Sequence, residues 1–214
     1  IRLAFAGEKL VYAGKHFTLP LPDGEGKGLR LSQPGNDKIP IYLATLSPKS
    51  LQLTGELADG WVGTSFTPEG ADAVTTHIAK GAEAAGRSLA DIDLQVGGSV
   101  AFSDDVDALV APRKAGIAFT LGAMGSAQHN FYNDAFKRQG YEDAAIEVQR
   151  LWLAGQREQA TERVPDEMVL RTSLLGTEDM IKQRMRAYKK AGITTLRLDP
   201  EGSSLQQRLA TLGR

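Results

Sequence analysis

The sequence predicts an α/β fold in which parallel strands alternate with helices, and three observations carry that prediction. Two short β-prone runs, 41–45 and 60–65, each lead directly into a helix start, Ser47-Pro48 after the first and Thr67-Pro68 after the second. Ser or Thr at the N-cap with Pro at the first helical position is the usual signature of such a start. Two further apolar runs, 94–102 and 193–198, are separated from these and from each other by helical stretches, and buried strands joined by helices belong to a parallel sheet. An open sheet and part of a barrel both satisfy this pattern, because periodicity does not distinguish them.

Taken in order, 10–12 and 16–19 flank Ala13-Gly14-Lys15 and read as a small hairpin, followed by a Pro- and Gly-rich loop over 20–38. After the first strand and helix and the second strand, the helix capped at Thr67 runs to about residue 85 and stops at Gly86. Its alanines Ala71, Ala79, Ala82 and Ala85 suit close packing on a sheet. The third strand holds Gly97 and Gly98, which permit a bulge or a close approach. Residues 104–163 read as helical, broken by a glycine-rich connection over 120–133; Trp152 and Leu153 sit in an apolar helical run and read as core. Thr177 caps a last helix, with Glu178 and Asp179 in its first turn, Lys189 and Lys190 in its last and Gly192 beyond it, before the fourth strand, 193–198.

Composition excludes several functions. With 214 residues, 42% hydrophobic and 24% charged, the chain can bury an ordinary core. Its 25 Lys+Arg against 26 Asp+Glu and the lack of a basic run interleaved with aromatics argue against nucleic acid. No cysteine is present, so thiolate chemistry and cysteine metal sites are excluded. The three histidines lack metal-ligand spacing, so no metal is expected. A reducing compartment is compatible, and a cytoplasmic location is expected. No apolar run is long enough to span a bilayer, so no membrane partner is expected. The chain starts at Ile1 rather than Met, so its authentic start is expected to lie upstream.

The segments VYAGKHF (11–17), IPIYLATLSPKSLQLTGELADGWV (39–62), AGRS (85–88), VPDEMV (164–169) and LLGTEDMIKQRMRAYKKAGITTLRL (174–198) together resemble the C-terminal part of the luciferase-like monooxygenase superfamily. Within it they resemble the coenzyme F420 (deazaflavin)-dependent oxidoreductases. The resemblance implies a TIM (β/α)8 barrel that holds a deazaflavin, or alternatively flavin mononucleotide (FMN), at the carboxyl ends of its strands. A complete barrel takes roughly 250 residues, so it implies about half a barrel here. Residues 1–38 would be a peripheral hairpin and loop, and 39–214 would hold strands five to eight. The family's proton-transfer groups would lie in the absent strands, leaving no catalytic residue to assign and no activity for this chain alone. An open half-barrel leaves strand edges and an apolar face uncovered, so self-association or pairing with the missing half is expected. The implied reaction is two-electron transfer between the ring and a small organic substrate. An FMN monooxygenase and a noncatalytic half-barrel binding or assembly module remain as alternatives.

Candidate site residues follow. A strand end feeding a helix N-terminus leaves amides that favour an anion. The resemblance places Ala44, Thr45, Leu46 and Ser47 at the cofactor tail and phosphate, with Ser50 one turn on adding a hydroxyl. Luciferase-type flavin members often carry an acidic or hydroxyl residue where Leu46 stands, so that contact falls to the backbone. Capping and anion binding use the same geometry at Ser47. Thr64, Ser65 and Thr67 stand at the functional end of the next strand, where Thr64 and Thr67 are candidate cofactor contacts and Thr67 is also a plain cap. His129, Asn130 and Tyr132 in the glycine-rich connection are candidate substrate contacts. Asp59 lies at a strand entrance, the face of a barrel associated with stability, and reads as structural; Arg197 either points inward or is paired within a polar layer.

Overall fold

The computed structural model describes residues 1–213, and the chain divides into two compact units, Ile1–Ile41 and Tyr42 onward. The first begins with a single-turn helix, α1 (Arg2–Phe5), and contains the expected hairpin as β1 (Tyr12–Ala13) and β2 (Thr18–Leu19), antiparallel with Tyr12 opposite Leu19. Gly14 closes the turn by donating its N–H to Phe17 O at 2.8 Å. A Cβ there would lie 2.3 Å from the Tyr12 ring, so only glycine fits beneath it. The loop after the hairpin has no helix or strand.

The second unit runs β3 (Tyr42–Leu43), α2 (Pro48–Leu57), β4 (Gly60–Gly63), a 3₁₀ turn (Pro68–Gly70), α3 (Asp72–Ala84) and β5 (Asp93–Phe102). There follow α4 (Val106–Ala123), α5 (Phe131–Phe136), a π turn (Lys137–Tyr141), α6 (Glu142–Leu153), α7 (Arg157–Glu162), α8 (Asp166–Arg171), β6 (Leu174–Gly176), α9 (Glu178–Lys190), β7 (Thr195–Pro200) and α10 (Leu205–Leu212). The four expected strands are present, and neighbours pair parallel in chain order: Tyr42 opposite Gly60, Gly60 opposite Asp93, Gln95 opposite Thr195. The count of four is corrected to five by β6, which pairs with the far end of β5, Val100 opposite Leu174. Val96 pairs with both Gly63 and Leu196, and Val100 with both Leu174 and Pro200. A strand has two edges, so β4 and β6 share one edge of β5 and β7 occupies the other.

Strand alternation fixes the two faces. Leu94 and Val96 enter an apolar layer with Leu51, Trp61, Ile78 and Tyr188 from β4 and the helices α2, α3 and α9. Asp93, Gln95, Gly97 and Ser99 therefore face the opposite side, the interior of a barrel of this type. A second core joins α4, α6, α7 and α8 through Leu121, Val148, Leu151, Ala160 and Met168, and Trp152 packs against it. No bulge interrupts β5 from Gln95 to Val100; Gly98 instead admits the neighbouring segment, since its Cβ would sit 3.3 Å from Thr172 O and the Leu174 side chain.

Ser47, Thr67 and Thr177 each cap their helices by accepting from the backbone N–H of Ser50, Gly70 and Met180. The small-residue packing expected of α3 is met in part: Ala71 and Ala82 are buried in the core. Ala85 is exposed and Ala79 half-buried, and the close contact is made by Gly81 against α2. A Cβ on Gly81 would fall 1.8 Å from Gln52 O, and one on Gly55 1.9 Å from Ile78 O. Only hydrogen at both positions lets the two helix backbones meet.

The amino ends of the strands are tied by Asp93. Its carboxylate accepts from Tyr42 OH at 2.8 Å, Gln95 Nε2 at 2.7 Å, Thr195 Oγ1 at 3.0 Å and the Thr194 hydroxyl. Burial raises its pKa, but the bonds from Gln95, Thr194, Tyr42 and Thr195 outweigh that and hold it below the ordinary value. Asp59 lies at the same end, its carbonyl accepting from Asp93 N at 3.0 Å.

Candidate active site

Further along the strands, at the carboxyl end of β4 and beside the middle of β5 and β7, lies a cavity of about 440 Å³, within the size range of small-molecule sites. Its floor is Gly97, and the Arg197 side chain lies over that glycine, Nη2 being 3.3 Å from where a Cβ would stand. Thr64 and Ser65 line it as the chain leaves β4, Thr172 as the chain enters β6. Its far wall is Ile117 and Thr120 of α4, Met124 just beyond its end, and Tyr132 and Phe136 of α5. Among the described residues this lining has hydroxyls, apolar groups and one cation, but no carboxylate or imidazole. Such a surface binds and orients; it offers no group poised near neutrality to move a proton.

The wall formed by Thr64 and Ser65 is held under strain. Ser65 adopts φ +52°, a left-handed conformation uncommon outside glycine. Gln139, buried in the π turn, fixes it: Nε2 donates to Ser65 O at 2.6 Å, while Oε1 accepts from Thr67 N at 2.7 Å and Thr67 Oγ1 at 3.1 Å. Thr67 is fully buried, and its hydroxyl is occupied by this clamp and by its cap rather than turned to the cavity.

A second polar locus stands at the β3–α2 turn. Ser47 Oγ accepts from Ser50 N at 3.3 Å and hydrogen-bonds the Ser50 hydroxyl. Thr45 Oγ1 meets Thr54 Oγ1 at 2.7 Å, and Thr45 O accepts from Trp61 Nε1 at 3.0 Å. Arg138, which the sequence did not single out, reaches this turn and donates to Leu46 O at 2.8 Å. Burial draws its guanidinium below the ordinary value, opposed by Asp134. Ala44 is exposed, and Thr45, Leu46, Ser47 and Ser50 are half-buried; none of the five lines the cavity.

Of the sequence candidates, Thr64 and Tyr132 reach the cavity. His129 is exposed. Asn130 is only 3% exposed and caps α5, accepting from Tyr132 N and Asn133 N while donating to Leu121 O at 2.9 Å, so its side chain is spent on structure.

Residues 1–195 match the family model described as luciferase-like monooxygenase. The chain belongs to that family. A Mycobacterium tuberculosis (strain H37Rv) protein provisionally named coenzyme F420-dependent oxidoreductase Rv3520c is 31% identical over 220 residues, covering 99% of this chain and 63% of its own length. The 5,10-methylenetetrahydromethanopterin reductase of Methanopyrus kandleri is 25% identical over 97% of this chain and 57% of its own length. The chain thus spans about three-fifths of these relatives. Among solved structures, the coenzyme F420-dependent tetrahydromethanopterin reductase from Methanopyrus kandleri superposes with a TM-score of 0.70 at 22% identity, over 99% of this chain and 57% of that one. An F420-dependent secondary alcohol dehydrogenase in complex with an F420-acetone adduct gives 0.63 at 17% identity, over 99% and 56%. These likenesses place the luciferase-like chain in the barrel fold of the family, and its cavity opens where the chain leaves the carboxyl end of β4, the kind of strand end at which (β/α)8 barrels hold their sites. No helix among the described residues is long and apolar enough to cross a membrane.

Proposed function

We propose that this chain forms the cofactor- and substrate-binding wall of a coenzyme F420-dependent oxidoreductase acting on a small organic molecule. The observation that supports this most is the pairing of a cavity where the chain leaves β4 with the capped start of α2, which follows the adjacent strand β3. The donor set there suits a deazaflavin with a phosphate-bearing tail. Ser47, Ser50, the backbone from Ala44 to Leu46 and Arg138 would hold the tail, with hydroxyls, amides and one guanidinium for an anion. Thr64, with Tyr132 across the cavity, would meet the ring and substrate. When bound, the ring supplies two-electron chemistry; the residues of this chain bind, orient and exclude water. Within the described sheet β3 pairs with β4 alone and β7 with β5 alone, so both outer edges can take further strands, from more of the same protein or from a second copy.

Titration of the purified chain with the deazaflavin and with flavin mononucleotide, followed by fluorescence, tests this. The deazaflavin is expected to bind at least about tenfold more tightly, and Arg138→Ala to weaken it about tenfold or more, the loss of one charged hydrogen bond. Preference for flavin mononucleotide would shift the reading to the monooxygenases. Binding of neither ring, by a chain that sediments as a stable dimer, would favour an assembly module.

A further inference from the structure

We infer that Arg197 is a substrate-selecting residue that receives a carboxylate, so that the substrate is a small organic acid with an apolar body. This rests on reading the cavity as the substrate pocket. Arg197 stands on β7 opposite Gly97 of β5, and its guanidinium lies across that glycine at the cavity floor.

Other arginines of the same unit are satisfied. Arg113 bonds Leu109 O at 2.6 Å and pairs with Glu201 at 3.6 Å; Arg171 pairs with Glu167 at 2.6 Å, and Arg184 with Glu69. Asp199, two residues on and on the same face of β7, pairs with Arg208 at 3.5 Å. Among the described residues Arg197 has no ion-pair or side-chain hydrogen-bond partner. The cavity lining holds no carboxylate to provide one.

An arginine fork presents paired N–H donors matched to a planar oxyanion. Thr64 and Tyr132 place hydroxyls in the same lining, and Ile117, Met124 and Phe136 offer an apolar wall. A ligand with one carboxylate and a compact apolar body satisfies every part of this surface. Arg197 is itself exposed, so a neutral analogue of the same shape forfeits only the charge-assisted pair that a carboxylate makes with the hydrated guanidinium, and that difference is the basis of selection.

The test uses the full chain without cofactor, titrated with benzoate and with its neutral isostere benzamide, binding being read from NMR chemical shifts and from thermal midpoint. Benzoate is expected to bind at least tenfold more tightly than benzamide. Arg197→Gln should remove that preference, leaving benzamide unchanged, and Arg197→Lys should retain part of it. Equal affinity of the wild type for the two probes overturns the assignment, as does a preference that survives in Arg197→Gln. If Arg197→Gln does not fold, the wild-type and Arg197→Lys arms still decide. Deazaflavin titration of the same variants separates the two proposals. A wild type that prefers benzoate but binds no deazaflavin sinks the cofactor reading and keeps Arg197. Weakened deazaflavin binding in Arg197→Gln, with benzoate unaffected, assigns the guanidinium to the cofactor and overturns the inference.

Discussion

Replacing Gln139 should be among the most costly single changes near the cavity, although Gln139 itself does not line it. The side chain is 9% exposed and makes four hydrogen bonds: to Thr67 N at 2.7 Å, Thr67 Oγ1 at 3.1 Å, Ser65 O at 2.6 Å and Ala135 O at 2.9 Å. Gln139→Ala removes them all and leaves the buried Thr67 amide without its acceptor. At about 0.5–1 kcal/mol per neutral bond, the four come to about 2–4 kcal/mol. Relief of the left-handed Ser65 backbone, a strain of order 1 kcal/mol, offsets part of it. For a chain of this size the net loss of about 1–3 kcal/mol lowers the midpoint by about 2–12 °C. Urea unfolding of Gln139→Ala and of the volume-preserving Gln139→Met, each with and without Ser65→Gly, measures it. Both Gln139 variants should fall together, and Ser65→Gly should be less beneficial once the clamp is gone. A Gln139→Met protein as stable as wild type would refute the reasoning, because packing rather than hydrogen bonding would then hold the turn.

Asp93→Asn should destabilise by about 1–3 kcal/mol at pH 7, a figure discounted for the partial exposure of the carboxylate. Because the folded-state pKa of Asp93 is depressed, its contribution is present above the unfolded value near about 3.9 and is lost as pH falls through the folded value. The gap between wild type and variant in urea midpoint should therefore close below about pH 4; a gap constant down to pH 3 would refute it. Gly55→Ala and Gly81→Ala should each cost at least about 1–3 kcal/mol, since the new methyl meets backbone carbonyls that cannot swing aside. Gly116→Ala, in the middle of α4 with open space around the added methyl, should stabilise by about 0.5–1 kcal/mol; thermal unfolding of the three variants side by side checks both signs.

What the sequence made legible was local. Capped starts at Ser47, Thr67 and Thr177, left-handed stops at Gly86 and Gly192 and the hairpin around Gly14 are each specified within a few residues, and each is observed. The strand β6 was not legible, because Leu174, Leu175 and Gly176 are all buried and three residues show no alternation. Thr64 and Tyr132 could be named from their places at a strand end and in a connecting loop. Gln139 could not, since its partners Ser65 and Thr67 lie 74 and 72 residues away and no local pattern marks it. Thr67 and Asn130 illustrate the converse limit: a hydroxyl or amide at a helix start looks alike in sequence whether it caps or binds, and only burial separates the two. The direction of Arg197 was likewise open until the pairing of β7 with β5 fixed which residues share its face.

The two ends of the sheet use polar groups in opposite ways. At the amino ends four side-chain donors converge on one acceptor, so that Tyr42, Gln95, Thr194 and Thr195 surround the Asp93 carboxylate and tie β3, β5 and the start of β7 together. Around the cavity donors outnumber acceptors: a guanidinium without a counter-ion, hydroxyls facing a cavity and a left-handed serine held open by a buried amide. Satisfied polar groups rigidify, whereas unsatisfied ones have free energy to gain from a ligand. The first end can therefore carry the strain of the second. Loosening Asp93 should accordingly lower global stability while leaving the benzoate preference of the folded protein intact, and loosening Gln139 should disturb both. Loss of the benzoate preference in a folded Asp93→Asn protein would show that the two ends are not separable in this way.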